Sequence, residues 1–191
     1  MITSQKGIDL IKKFEGFRSR AYVCPAGVKT IAYGHTAGVK LGQTCTEKQG
    51  EVWLKQDLVV CETEVTAWNY VYHWTQSEFD ALVSFTFNCG VGSLRNLLKN
   101  GTRSREEIRK AILLYNKDIN GKYLSGLANR RKAELELFNS KSDTTVPDKE
   151  YITVNDIVEG IWNGDFGTPW SKSDKLYKYF LKKVNEYKGA K

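Results

Sequence analysis

Hydrophobic residues in the first part of the chain recur mostly at the three- and four-residue spacing of a helix that buries one face. Ile8, Ile11 and Phe14 form the first such series, and Ser4 before them has a side chain suited to cap a helix N-terminus. The series predicts a first helix that ends near Glu15. The lysines within it are expected on the outer side.

A Ser or Thr followed three residues later by Glu or Gln can form a capping box at a helix start. Such boxes predict helices that begin at Thr46, Thr75 and Ser104. The first of these is long and is expected to connect two lobes. A last helix is predicted from about Ser125 to Phe138. The apolar stripe of the long helix consists of Val52, Leu54, Leu58, Val59 and Val65.

Residues 15–35 have a different pattern, because strand-forming residues here follow chain-breaking ones. Pro25 and Gly27 interrupt the chain, and Thr30, Ile31 and Tyr33 favour a strand. The segment therefore predicts a short β-hairpin. One small sheet followed by several helices predicts an α+β fold that is predominantly helical, with the strands segregated in one lobe.

Beyond residue 141 the helical periodicity stops in a polar stretch, which predicts a linker over residues 142–150 and a small helical C-terminal module over 151–191. The last 50 residues hold eight of the 23 aromatic residues of the chain. These side chains either fill the core of a very small domain or form a carbohydrate-binding face. Both interpretations are open at this point.

The formal net charge of +7 is carried by residues 1–141, which hold 21 Lys and Arg against 14 Asp and Glu. A basic body suits an anionic partner, which could be nucleic acid, an anionic membrane face or an acidic wall polymer. The chain has no zinc-finger spacing, basic-zipper pattern or aromatic RNA-binding motif, so nucleic acid is not expected as a partner. It also shows no metal-ligand cluster, phosphate loop or Ser/His/Asp arrangement, which predicts neither a metal nor a cofactor.

No apolar run has the length of a signal peptide or the ~20 residues of a membrane span. We therefore expect no signal peptide and no stable membrane insertion. The four cysteines are widely scattered and form no CxxC pair, which favours reduced thiols. A bridge between Cys45 and Cys61 is the alternative.

The residues of the predicted hairpin also carry a family resemblance. Glu15, eight residues, Cys24, five residues and Thr30, followed by Ile-Ala-Tyr-Gly-His-Thr, resemble the active-site signature of phage-type lysozymes, glycoside hydrolase family 24. The motifs FNCG at 87–90 and NRR at 129–131 extend the match to roughly residues 1–141. The resemblance implies a two-lobed lysozyme-like fold and an endolysin, a muramidase that cleaves the β-1,4 bond between N-acetylmuramic acid and N-acetylglucosamine.

The resemblance implies Glu15 as the general acid, with Cys24 and Thr30 on the side of the attacking water. Cys24 departs from the commoner Asp, and a thiol has an ordinary pKa of about 8.5, so it is mostly neutral at pH 7. It remains open whether Cys24 is a thiolate base, a transient nucleophile or a polar placeholder.

Further departures are Lys29, where an aromatic is frequent, and Ala32, where Gly is usual. Substrate-binding or supporting roles are implied for Tyr33, His35, Phe87, Asn88 and Arg130, with His35 structural and Arg130 close to the acid.

Such an enzyme is expected to be a monomer that accumulates in the host cytoplasm and reaches peptidoglycan after a holin opens the inner membrane. The C-terminal segment is similar in part to a helical wall-binding repeat of some endolysins. Two alternatives are a lytic transglycosylase, which uses the same acid, and a non-catalytic protein that binds peptidoglycan or disrupts membranes.

Overall fold

A computed structural model describes residues 1–25, 27–118 and 120–141, and Met1–Ser142 form one compact unit. The predicted linker and C-terminal module lie outside the described residues. The described part contains seven helices and one two-stranded antiparallel sheet, which confirms the predicted α+β, mostly helical fold. The elements are α1 (Gln5–Glu15), β1 (Arg18–Val23), β2 (Lys29–Ala32), α2 (Glu47–Ala67), α3 (Asn69–Tyr72), α4 (Gln76–Cys89), α5 (Val91–Leu98), α6 (Arg105–Ile112) and α7 (Ser125–Asn139).

The centre of the core is α4, which packs against α1, α2, α5 and α7. All ten residues from position 77 to position 86 are buried, so this helix has no solvent-facing side over that length. Its large apolar side chains Phe79, Leu82 and Phe85 are fully buried. A helix enclosed in this way fixes the relative positions of α1 and α7, which carry candidate site residues.

The hairpin forms where the sequence predicts it. Tyr22 is paired with Thr30, and an irregularity in the register separates this part of the ladder from Arg18. The second strand ends at Ala32, one residue before the predicted strand residue Tyr33, because Ala32 has a left-handed φ of 57°. This conformation costs energy for any residue with a Cβ atom, which fits the glycine that the resemblance leads us to expect at this position.

The predicted helix starts are correct, but their side-chain caps are not uniform. Thr75 and Ser104 form complete capping boxes, and Thr46 accepts a hydrogen bond from the backbone of Gln49. Ser4 occupies the N-cap position of α1 without capping it. Its hydroxyl instead donates to buried Asp80 of α4, so it ties α1 to the core helix.

The predicted apolar stripe of α2 is partly wrong. Leu54, Leu58 and Val65 are buried as expected, but Val52 and Val59 are 45% and 54% exposed. The three buried positions are four and seven residues apart, about one and two helical turns, so they share one face. The two exposed valines are seven residues apart on another face. Helix α5 was not predicted, because Gly90, which ends α4, is followed at once by a new helix.

Candidate active site

The carboxylate of Glu15 lies at the C-terminal end of α1, opposite the turn that follows the hairpin. Its Oε1 accepts a 2.6 Å hydrogen bond from Nη1 of Arg130, which confirms that Arg130 is close to it. A Cβ atom built on Gly34 would lie 4.0 Å from Oε2. The side chain is 24% exposed, so the carboxylate is partly sheltered while it can still be reached from solvent.

Cys24 and Thr30 are joined through one backbone carbonyl. The Cys24 amide donates to the oxygen of Val28 at 2.9 Å, and the Thr30 hydroxyl donates to the same oxygen at 3.1 Å. Thr30 is buried and Cys24 is half-buried. Because its proton is directed at a carbonyl, the Thr30 hydroxyl can act towards any further partner only as an acceptor, through its lone pairs. The hairpin thus holds both predicted residues at its closed end.

Behind Glu15 lies a buried cluster of charged side chains on α7. Arg130 donates through Nε to Oε1 of Glu134 at 3.2 Å, and Arg131 donates to the same oxygen at 2.9 Å. The hydroxyl of Ser84, from α4, also donates to that oxygen. Arg131 and Glu134 are fully buried, so these charges are compensated by one another rather than by water.

Glu134 was not predicted to lie near the site. A usable signal was present, because positions 130, 131 and 134 are three and four residues apart and share one helix face. What the spacing does not reveal is that this face is buried against α4.

Phe87 and Asn88 lie at the end of α4. The exposed Asn88 accepts a 2.9 Å hydrogen bond from Nη2 of Arg131 through its amide oxygen. A guanidinium only donates, so this contact fixes the amide orientation and turns the NH₂ group away from Arg131. Phe87 is half-buried and packs against the core. Of the two, Asn88 is the one that presents a polar group at the surface.

Tyr33 points to a network at the start of α2 and not to Glu15. Its hydroxyl donates to Glu47 at 2.7 Å, and the ammonium of Lys12 lies 5.4 Å from its ring centroid. Lys12 also pairs with Glu51 at 3.0 Å, and this ammonium holds the pKa of Glu51 below its ordinary value. Lys12 therefore does not face solvent as predicted but joins α1 to α2. The contacts of Tyr33 are those of a supporting residue.

His35 is held between the turn and α2. Its Nδ1 lies 2.9 Å from Asp57, and its ring stacks on Trp53 with centroids 5.0 Å apart. Its backbone exchanges two hydrogen bonds with Ile31, which closes the turn after β2. The ring is buried, so its contacts are those of a residue that supports the hairpin.

Among the residues that the structure describes, no group of three or more His, Cys, Asp or Glu side chains is arranged to hold a metal ion. The helices of this described part also include none with the length and apolarity needed to cross a membrane.

Cys45 and Cys61 are free thiols, and burial raises the pKa of Cys61 to about 11. A surface pocket of about 430 Å³ lies elsewhere and involves none of the candidate site residues. It is lined by Glu64, Ala67, Trp68, Tyr70, Arg95 and Asn100.

Comparison with known sequences shows the family to which the chain belongs. The phage lysozyme family matches residues 12–134. The endolysin of Acyrthosiphon pisum secondary endosymbiont phage 1 is 35% identical over 146 residues, which cover 73% of this chain and 99% of that protein. The endolysin of Bacillus phage PZA is 39% identical over 151 residues, or 76% of this chain. The match spans 58% of the length of that relative.

Solved structures show the same fold. The muramidase domain of SpmX from Asticaccaulis excentricus has a TM-score of 0.65 and 34% identity, covering 73% of this chain and 98% of that domain. A mutant of P22 lysozyme has a TM-score of 0.63 and 33% identity, and the match covers 73% of this chain and 99% of that chain. The conclusion from sequence and fold together is that this chain belongs to the phage lysozyme family and is a glycoside hydrolase of the lysozyme type.

Proposed function

We propose that the protein is an endolysin that hydrolyses the β-1,4 bond between N-acetylmuramic acid and N-acetylglucosamine in peptidoglycan, with Glu15 as the general acid. The observation that carries the proposal is the position of Glu15. Its carboxylate is half-sheltered at the end of α1, is held by Arg130 and faces the turn at Gly34. The endolysin relatives and the muramidase domain support the substrate class.

Glycoside hydrolysis needs a proton donor at the leaving oxygen and a nucleophile on the other face of the sugar. We assign the first role to Glu15 and the second to a water molecule held on the hairpin side by Cys24 and Thr30. The shared Val28 carbonyl supports this assignment, since it fixes both residues at one end of the hairpin. Tyr33, His35 and Arg130 hold the helix end and the hairpin that carry these residues. Asn88 offers its amide NH₂ to an N-acetyl group of the glycan.

The role of Cys24 is tested by a pair of substitutions. Cys24→Asp is expected to keep activity, because a carboxylate can also hold or activate water. Cys24→Ala is expected to lose most of it, because a methyl group can do neither. The measurement is the rate of release of soluble fragments from purified peptidoglycan.

The matched control for this pair is Cys45→Ala, which alters a half-buried thiol that lies after the hairpin and hydrogen-bonds to the backbone of Ala32. It should behave as wild type. Full activity of Cys24→Ala would refute a chemical role for the thiol.

We further propose that residues 1–141 are the catalytic domain, 142–150 a linker and 151–191 a small helical module that binds the wall. The compact unit Met1–Ser142 supports the first boundary, as does the relative whose length the match covers almost completely. We also propose that the protein is a monomer that accumulates in the host cytoplasm and meets the wall once a holin opens the inner membrane. The excess of basic residues in 1–141 favours attraction to an anionic wall polymer.

Truncation after Asp148 tests this division. The shortened protein is expected to cleave purified peptidoglycan at a rate close to that of the full chain while it sediments less with intact walls. Cleavage and sedimentation are measured on the same wall preparation at two salt concentrations, because salt weakens the contribution of net charge. Loss of cleavage in a folded truncated protein would contradict the assignment of catalysis to residues 1–141.

A further inference from the structure

Two carboxylates share the guanidinium of Arg130. Its Nη1 donates to Glu15 at 2.6 Å, and its Nε donates to Glu134 at 3.2 Å. Glu15 reaches solvent at the end of α1, whereas Glu134 is fully buried on α7. Any change at Glu134 therefore acts on the group that pairs with the proposed acid.

Glu134 is surrounded by donors. Its Oε1 accepts from Ser84 at 2.8 Å and from Nη2 of Arg131 at 2.9 Å. Its Oε2 lies 2.8 Å from Nε of Arg131, an ion pair without good hydrogen-bond geometry. Burial raises the pKa of Glu134, and the two neighbouring guanidiniums oppose that rise. Because these contacts all come from donors, they fit the ionised carboxylate, which can only accept.

We infer that Glu134 is a positioning residue for the reaction: its carboxylate orients Arg130 towards Glu15 and offsets part of the positive charge that Arg130 directs at that acid. The inference rests on the proposed role of Glu15 as general acid. Such an acid must carry a proton when the glycosidic oxygen leaves, and an uncompensated guanidinium beside it favours loss of that proton.

The charges of the cluster show why Glu134 matters for this proton. With both glutamates ionised, two negative charges face the two positive charges of Arg130 and Arg131. Without the charge of Glu134, one positive charge is left uncompensated next to Glu15. The contact between Glu134 and Arg130 therefore has two effects. It orients the guanidinium of Arg130, and it offsets part of the positive charge that this guanidinium places beside Glu15.

Other titratable groups around Glu15 and this cluster are left unchanged by a substitution at Glu134. Cys89 of α4 contacts Arg131, and burial raises the pKa of its thiol. The last turn of α1 carries Lys12, which pairs with Glu51 of α2, and Lys13. On the hairpin side lie Cys24 and two side chains with contacts to α2, Tyr33 and His35. Because all of these groups are common to the variants compared, they cancel in a difference between pH profiles.

The test is the pH dependence of kcat/KM on solubilised peptidoglycan chains, measured with the full chain and with Glu134→Gln. Glutamine keeps the shape and one acceptor oxygen but removes the charge. We expect the alkaline limb of the profile to move to lower pH by about one unit, because the proton on Glu15 is then lost more readily. Activity on the acid side of the optimum should be kept.

A matched pair at Arg131 separates this effect from a merely structural role. Arg131→Met removes a positive charge and should move the alkaline limb to higher pH, opposite to Glu134→Gln. Arg131→Lys keeps the charge and should keep the wild-type limb. Profiles are compared at a temperature where circular dichroism shows each variant folded, and if Glu134→Gln does not fold, the Arg131 pair decides the question.

An unchanged limb in both Glu134→Gln and Arg131→Met, with activity lowered equally at every pH, would overturn the inference and leave the cluster a structural element. Glu15→Gln distinguishes this failure from failure of the proposed function. If Glu15→Gln is inactive while the limbs do not move, only the positioning role is wrong. If Glu15→Gln is fully active, the general-acid assignment itself falls.

Discussion

Glu15→Gln is expected to lower the rate of peptidoglycan hydrolysis by about 10²–10⁴-fold, the usual contribution of a general acid. Glutamine preserves the shape of the side chain and can still accept a hydrogen bond from Arg130, but it has no proton to give to the glycosidic oxygen. The measurement is the initial rate of release of soluble fragments from purified peptidoglycan, at equal concentrations of folded enzyme.

Asp9→Asn is the matched control for this loss. Asp9 lies on the same helix, is exposed and accepts a 2.9 Å hydrogen bond from Gln5. Its neutralisation changes the net charge as Glu15→Gln does, but away from the hairpin. The control should keep the wild-type rate. Equal losses in the two variants would indicate a general effect of charge on wall binding and would contradict a catalytic role for Glu15.

Arg131→Met is expected to lower the free energy of unfolding by about 3–5 kcal/mol, because it breaks a fully buried ion pair and leaves Glu134 short of a partner. The guanidinium also lies 5.0 Å from the ring centroid of Phe85 in the core. Methionine fills a similar volume, so a cavity adds little to this cost. Urea denaturation followed by circular dichroism measures the change.

Arg109→Met provides a matched comparison at the surface. Arg109 likewise pairs with a glutamate three residues away, Glu106, and lies 5.6 Å from the ring centroid of Phe138. Its side chain is 35% exposed, so its ion pair is screened by water and its loss should cost no more than about 1 kcal/mol.

A double substitution separates the cost of the pair from the cost of an uncompensated charge. Arg131→Met combined with Glu134→Leu should cost less than the sum of the two single changes, since no buried charge of this pair then lacks its partner. Strict additivity would contradict the view that the cluster is held by mutual compensation.

The local features of this fold could be predicted from sequence because they depend on residues close together in the chain. The capping boxes at Thr75 and Ser104 need only residues three apart, and the hairpin follows from Pro25, Gly27 and the strand formers after them. The Glu-Cys-Thr spacing is also a local feature, since the end of one helix and the hairpin directly after it hold all three residues.

Features that depend on long-range packing could not be predicted in this way. Ser4 has the right position and chemistry for a cap, but its hydroxyl donates to Asp80, which lies far along the chain. The face of α2 that is buried is chosen by its neighbours, so Val52 is exposed although it is apolar. Lys12 is of a residue type that is usually exposed, but here it links α1 to α2 through Glu51.

The buried cluster on α7 shows the same limit at the site itself. The motif that contains Arg130 and Arg131 marks the segment, and the resemblance correctly brings Arg130 to Glu15. The position of Glu134 between the two arginines follows only when α7 is packed on α4, where Ser84 completes the set of donors. Chemistry of this kind depends on burial, which spacing alone does not specify.

The most direct test of the central claim is mass analysis of the glycan ends that the full chain releases from purified peptidoglycan. Hydrolysis of the proposed bond with Glu15 as acid predicts new reducing ends on N-acetylmuramic acid. Anhydro ends would show that a sugar hydroxyl and not water attacks, as in a lytic transglycosylase. New reducing ends on N-acetylglucosamine, or intact glycan chains, would contradict the assignment of the cleaved bond.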